Sequence, residues 1–319
     1  MTEEELLSFL AQTFTPRSRE VICGVGDDCA VVEAADRWHL FTMDTMVEGV
    51  HFSFSYFTPY EVGRKLAAVN LSDIAAMGGW PKFALLSMSL PFLQEETVKV
   101  FLEGLTSKLE AFGAELLGGD VTRTPSQKWH LSLTLIGETA KGGAIFRSGG
   151  NPGDLLFVSR PLGASAAALE LWQKGGEPPA TLKKAHLDPE PEIRLGEILS
   201  RHRLASAMID ISDGLLLDLD RLCKASSTGA VIFAEKIPLP HELEGLPLEK
   251  SPLEYALYGG EDFALLFAMP QAHRRVLFQT WPQKIYEIGK LTADKGIFLK
   301  TGEGLKPLSP KGFDHFLSR

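Results

Sequence analysis

The sequence predicts an α/β protein of the α+β type, built as two mixed α/β domains. Three observations lead there. The chain has 319 residues, two domains' worth at roughly 150 residues each. Short apolar stretches of strand length alternate with segments of helical periodicity along its whole course. Near the middle, residues 147–154 (RSGGNPGD) are dense in turn formers and place a boundary between residues 1–148 and 149–319.

Residues 3–14 read as a short opening helix, and Val31-Val32 and Leu40-Phe41 lie in apolar stretches suited to strands. Thr58-Pro59-Tyr60-Glu61 is a capping box with proline at the first helical position. The helix it opens should run to about Met77, stopped by Gly78-Gly79, with Val62, Leu66 and Val69 as its buried stripe. After Pro91, the spacing of Val98, Phe101, Leu102, Leu105, Leu109 and Phe112 predicts a second helix, ended by Gly113. Glu115 to Leu117 and Trp129 to Ile136 read as strands. Beyond the boundary come a strand (Leu155 to Val158), an Ala-rich helix (Ala164 to Trp172), a Gly/Pro loop and a helix near residues 190–202. The strand Ala207 to Ile211, a helix from Leu215 to Ser226 and the strand Val231 to Phe233 follow. A second capping box, Ser251-Pro252-Leu253-Glu254, precedes Gly259-Gly260 and the apolar strand Phe263 to Phe267.

Thirty-two basic residues against 41 acidic ones give a formal charge of −9. That balance argues against a general binder of nucleic acid or anionic membrane, which needs a cationic surface to displace counterions. Three cysteines without CxxC spacing point to a reducing compartment. The N-terminus is acidic where a secretory signal is basic, and the longest apolar stretches are too short to span a bilayer. The expected setting is the cytoplasm.

The acids sit in unusual places. Asp27 and Asp28 lie in GVGDD, Asp44 follows LFTM, Asp120 follows LLGG, and Asp210 and Asp213 flank Ile211-Ser212. Each falls where an apolar strand gives way to small residues, the usual ligand edge of an α/β domain. Singly, an Asp beside Gly is more often a turn residue; the argument is cumulative. Carboxylates gathered about 4 Å apart would repel by roughly 4 kcal/mol per pair at an effective dielectric near 20. A divalent cation holds such a set ionised, and oxygen-only donors without His/Cys spacing favour Mg²⁺. Asp73 is placed near the C-terminal end of the Thr58 helix, where the helix dipole disfavours it, with Asn70 on the same face. It is either a solvated helix end or a further ligand.

There is no GxxxxGK[ST] and no GxGxxG, so the P-loop and Rossmann readings lose their main support. Glycine pairs beside acids remain (Gly118-Gly119-Asp120, Gly259-Gly260-Glu261), whose bare backbone can approach phosphate oxygens. Arg147, Arg123 and Lys65 are candidate phosphate clamps, Arg147 foremost because it lies at the boundary. His51 follows Asp44 closely, and taken alone reads as a half-buried, hydrogen-bonded histidine.

In order, GVGDDCAVV (24–32), MDTMVEGVHF (43–52), KLAAVNLSDIAAMGG (65–79), LLGGDVTR (116–123), RSGGNPGD (147–154), IDISDGLLLDL (209–219), YGGEDFALLF (258–267) and KGFDHF (311–316) resemble the thiamine-monophosphate kinase family. That family is a branch of the ATP-binding superfamily that includes aminoimidazole ribonucleotide synthetase. The resemblance covers nearly the whole chain. It implies ATP-dependent phosphorylation of thiamine monophosphate to thiamine diphosphate by direct in-line transfer. It also implies a homodimer whose N-terminal domains form a barrel-like interface. By the same resemblance Asp27, Thr42, the Met43 carbonyl, Asp44, Asp73, Asp120, Asp210 and Asp213 would bind Mg²⁺. Gly119, Asp120, Arg147 and Ser212 would contact ATP, while His51, Glu261 and Phe313 would contact the thiamine substrate, and Asp44, Asp120 and Asp210 would be central to turnover. Three positions depart from the family pattern: Met43 replaces an expected Thr, Phe313 an expected Trp or Tyr, and Glu192 an expected Arg. The selenophosphate synthetase and hydrogenase-maturation branches fit less well. The first needs a reactive N-terminal Cys or selenocysteine, where only Cys23 is near, and the second needs a C-terminal Cys. A non-catalytic nucleotide sensor would not need so many metal ligands.

Overall fold

The computed structural model describes residues 3–310. After the opening helix α1 (Glu3–Thr13), the N-terminal half forms one six-stranded sheet. Its strands are β1 (Val21–Cys23), β2 (Ala30–Ala34), β3 (Arg37–Val47), β4 (Trp80–Leu90), β5 (Glu115–Arg123) and β6 (His130–Ala140). Their spatial order is β1-β2-β3-β6-β4-β5, antiparallel except for the parallel β4–β5 pair. Helices α2 (Pro59–Ala76) and α3 (Glu95–Ala111) supply the two crossovers and pack together over one face.

The C-terminal half is a seven-stranded sheet in the order β13-β12-β9-β11-β7-β10-β8. Its strands are β7 (Leu155–Val158), β8 (Ala207–Ile211), β9 (Gly229–Phe233), β10 (Ala264–Met269), β11 (Tyr286–Thr292), β12 (Ile297–Thr301) and β13 (Gly304–Leu308). The helices of this half are α4 (Ala164–Gln173), α5 (Ala180–Leu187), α6 (Ile193–Arg201), α7 (Leu215–Ser226), α8 (Pro252–Tyr258) and α9 (Arg274–Thr280). The α/β class is as the sequence predicts. None of the described helices is long and apolar enough to cross a membrane.

Both capping boxes form as read: Thr58 accepts from the Glu61 N–H and Ser251 from the Glu254 N–H, and each glutamate reaches back to the cap. Past its cap residue Met77, helix α2 turns at Gly78, whose φ is +66°. It is buried far beyond the expected stripe, because it serves both halves. Its N-terminal turns cross α3 at Gly63 and Gly104; a Cβ on Gly104 would lie 2.0 Å from the Tyr60 carbonyl oxygen. Its C-terminal turns cross α6 at Gly196, where a Cβ would lie 2.2 Å from the Ala75 carbonyl oxygen. One continuous apolar core therefore runs from Leu71 and Ile74 of α2 to Leu195, Leu199 and Phe267 of the second half.

Two expectations change. Strand β5 does not stop at Leu117 but continues to Arg123, since β4 offers backbone partners whatever the side chains. Asp120 and Asp44 therefore lie within strands and not at their ends. Helix α5 occupies part of the expected Gly/Pro loop, and α9 and strands β11 to β13 follow the last strand expected from the sequence. The α2–α3 crossing yields a prediction. Gly104→Ala should destabilise the protein by about 1–3 kcal/mol through overpacking against backbone, read as a lowered midpoint in thermal unfolding.

Candidate active site

Four segments far apart in sequence bring carboxylates together at the junction of the halves. Asp28 precedes β2, Asp44 lies on β3, Asp73 on α2 and Asp210 on β8. Asp28, Asp73 and Asp210 each place an oxygen within 4.8 Å of the others. Repulsion at that distance is roughly 3 kcal/mol per pair at an effective dielectric near 20, so the polar surroundings matter. Ser72 donates to Asp210 at 2.6 Å, and the Thr42 hydroxyl donates to Asp73. Asn70 accepts the Asp44 N–H at 3.1 Å. This last bond is available because β2 pairs with β3 only over residues 37–41, leaving residues 42–47 bare on that side.

Burial, then the neighbouring carboxylates Asp44 and Asp210, push the Asp73 carboxyl well above the usual range. Burial, then Asp28, does the same to Asp210. Asp44 is also raised by burial, partly relieved by its hydrogen bond with Asp73. Asp27 stands next to this group and is pushed up to about 7 by burial and by Asp28. Arg147 is the nearby counter-charge: its backbone N–H donates to Asp27 at 3.1 Å and its guanidinium to Asp28 at 2.5 Å. Asp28 Oδ2 is left buried with no hydrogen-bond partner. A hard cation fits this donor set, since all the charged donors are carboxylate oxygens and one of them lacks a partner.

A cleft of about 1010 Å³ opens beside the group, along the bare edge of β3. Asp44, His51, Lys65, Ser212, Asp213 and Glu261 line it. His51 Nδ1 accepts the Val47 N–H at 3.0 Å, which leaves the ring proton on Nε2. Asp213 is paired with Arg221 at 2.6 Å. Glu261 and Phe263 have left-handed backbones (φ +64° and +47°), and the Glu261 N–H is held by the Ser212 carbonyl at 2.7 Å. Between them Asp262 turns inward and caps α4 by accepting the Gly163 N–H at 2.7 Å. The GGED segment is thus a strained turn that presents Glu261 to the cleft.

Of the residues singled out in the sequence, Asp27, Thr42, Asp44, Asp73, Asp210 and Arg147 are in or against the carboxylate group, and His51, Ser212, Asp213 and Glu261 line the cleft. Met43 borders the cleft as well, but its side chain is on the outward face of the strand, so its backbone carbonyl is the only oxygen it has to offer there. Gly119 and Asp120 are elsewhere. Strand β5 is three strands from β3, ~14 Å at 4.8 Å per step. Asp120 is in register with Ser87, Ser132 and Thr45, one residue out of step with Asp44, so it belongs to the opposite face of the sheet. Gly119 sits against Leu86, where a Cβ would lie 1.7 Å from a backbone oxygen. Phe313 lies outside the described residues. Sequence reasoning missed the part Asp28 plays, although it lies in the quoted GDD. Only the direction of its side chain distinguishes it from Asp27. Ser72 and His186 carried no signal of their own. Glu192, the departure from Arg, is paired with Arg160 at 2.5 Å.

Residues 26–139 match the model of AIR synthase related protein, N-terminal domain, and residues 151–302 match its C-terminal domain. Fold and site thus define an AIR synthase related protein. A thiamine-monophosphate kinase from Aquifex aeolicus is 38% identical over 92% of both chains. The Bacillus subtilis thiamine-monophosphate kinase is 35% identical over 96% of this chain and 98% of the relative. A solved structure described as AaThiL complexed with AMPPCP and TMP superposes with a TM-score of 0.86 at 36% identity, covering 99% and 97% of the two chains. The chain belongs to the thiamine-monophosphate kinase family.

The raised carboxyls give a pH prediction for metal-free protein. The folded chain retains protons that ordinary aspartates, titrating near ~4, shed on unfolding. Stability therefore falls as pH rises through the folded values, including the one near 7 for Asp27. Thermal midpoints in EDTA should be lower at pH 8 than at pH 6. Asp210→Asn, which removes one of the like charges, should flatten that difference.

Proposed function

We propose that this protein is an ATP- and Mg²⁺-dependent kinase that converts thiamine monophosphate to thiamine diphosphate. The observation that carries the reading is the convergence of Asp28, Asp44, Asp73 and Asp210 at one end of a cleft whose other wall presents Glu261. With Thr42 and the adjacent Asp27, these residues would hold Mg²⁺. When bound, Mg²⁺ neutralises phosphate charge and aligns the groups for in-line displacement. Phosphoryl transfer asks little covalent chemistry of the protein, so its own work is positioning. The bond between the β- and γ-phosphates of ATP breaks as a phosphate oxygen of thiamine monophosphate takes the γ-phosphoryl group, and ADP departs. That acceptor oxygen is already ionised and needs no general base.

His51, with its proton on Nε2, is set to donate to the substrate phosphate, and Glu261 is set to face the thiazolium cation. Phe313 would lie against the substrate's rings. Arg147 and Ser212, one beside the carboxylates and one in the cleft, would contact the nucleotide. In this reading residues 1–148 supply most of the Mg²⁺ site, and residues 149–319 supply Asp210 and the substrate wall. The three cysteines are free thiols, in keeping with a cytoplasmic setting.

A homodimer accounts for the outward face of the first sheet. Phe41, Met43, Phe83 and Leu85 are exposed there, and the open edge strand β5 exposes Leu117 and Val121. Within one chain this sheet is open, so a barrel-like arrangement would take a second copy packed on that face. Asp120 and Gly119 would then belong to the interface, and through it reach ATP or Mg²⁺ bound by the partner.

Protein incubated with ATP, Mg²⁺ and thiamine monophosphate should yield ADP and thiamine diphosphate on chromatography; their absence over a range of Mg²⁺ concentrations would exclude the reading. Asp44→Asn should reduce turnover by at least about 100-fold with an unchanged circular dichroism spectrum, since it removes a cation ligand and a repulsive charge. Leu85→Glu should convert a dimer to a monomer in light scattering; a wild-type monomer would dismiss the interface.

A further inference from the structure

One buried cation in the cleft wall has no part in the chemistry above. Lys65 lies on α2, two turns before Asp73 and ~12 Å from it along the helix axis at 1.5 Å per residue. Its side chain is fully buried, an uncommon position for lysine. The ammonium stands 3.0 Å from Glu261 Oε1 and 5.3 Å from the centre of the Phe57 ring. On the far side, His186 Nδ1 lies 3.4 Å from Glu261 Oε2 and 2.9 Å from the Ser165 hydroxyl. The His186 ring is walled by Tyr56, Phe57 and Trp172. Burial, then Lys65, push His186 down to about 3, so it is a neutral partner. Glu261 itself keeps about a quarter of its side chain open to the cleft.

This arrangement decides between two roles for Lys65. A phosphate clamp must present its ammonium to the ligand, yet Lys65 Nζ is buried and Glu261 is the residue exposed in front of it. Resting on the kinase reading above, we infer that Lys65 is a positioning residue for the thiamine substrate. It fixes the Glu261 carboxylate, which the turn already presents, in the orientation that receives the thiazolium cation, with His186 steadying the second oxygen. Because Lys65 comes from the N-terminal half and Glu261 from the C-terminal half, the pair also ties recognition of the substrate to the docking of the two halves.

A double-mutant cycle tests this, using Lys65→Met, Glu261→Gln and their combination in full-length protein. Lys65→Met should raise KM for thiamine monophosphate about tenfold, the scale of losing a charged partner. KM for ATP should stay within about twofold. In the Glu261→Gln background the same substitution should add no more than about twofold, because the residue it acts through is already neutral. An equal loss in both backgrounds would assign Lys65 to the phosphate directly and overturn the inference, as would an unchanged KM in the single variant. If Lys65→Met alone does not fold, the double variant, which removes both charges, gives the same comparison with Glu261→Gln. A wild-type protein that makes no thiamine diphosphate defeats the kinase reading and this inference with it. An active wild type with an unaffected Lys65→Met variant defeats the inference alone.

Discussion

Mutual repulsion among Asp28, Asp73 and Asp210 is the constraint on which the rest of the molecule depends. Three carboxyls within 4.8 Å of one another, two of them buried, resist being brought together. Retained protons on the raised carboxyls and a stiff frame hold them in place before a cation arrives. That frame is α2, clamped on one side by α3 and on the other by α6 through glycine crossings that leave no room for a methyl group. The helix then carries, in consecutive turns, Lys65 behind the substrate wall, Asn70 on the Asp44 backbone, Ser72 on Asp210, and Asp73 itself. Packing energy gathered along the whole helix offsets an electrostatic cost concentrated at its end.

The two halves divide the work unequally. The first sheet is a platform, whose bare strand edge at residues 42–47 leaves Asp44 open to the cleft. The second half contributes one acid to the carboxylate group, Asp210, and a strained turn. In that turn the adjacent acids have opposite duties. Asp262 faces inward to cap α4 and is pushed up to about 7 by burial, while Glu261 faces the cleft and is held below its usual range. Burial acts against Glu261 as well, but the Lys65 ammonium outweighs it. Two neighbouring carboxyls are thus shifted in opposite directions, because Glu261 has the Lys65 ammonium beside it whereas Asp262 is held mainly by backbone donors.

The first sheet also separates two kinds of surface by the pleat alone. Leu40, Thr42, Asp44 and Met46 face the helices, whereas Phe41, Met43 and Thr45 face outward. Asp120 falls on the outward side, in line with Thr45, Ser132 and Ser87. An acid that sequence order groups with the others is therefore turned to the opposite face, which gives the proposed homodimer a chemical as well as an apolar rationale.

Much of this was legible in the residues themselves. Capping boxes at Thr58 and Ser251 fixed where two helices begin, because a cap is a local hydrogen bond between residues three apart. Acids beside glycines marked Asp28 and Glu261, which meet at the carboxylate group and the cleft, but also Asp120, which does not, and the order of motifs along the chain marked the family. Other features are decided by contacts between residues distant in sequence, and a one-dimensional pattern does not contain them. The choice of Asp28 over Asp27, the separation of Asp120 from the other aspartates, and the pairing of Lys65 with Glu261 depend on strand register and on the docking of two sheets across α2. A one-residue change of register reverses the face a side chain occupies, so the same sequence of acids becomes a metal site or an exposed row according to which strands pair.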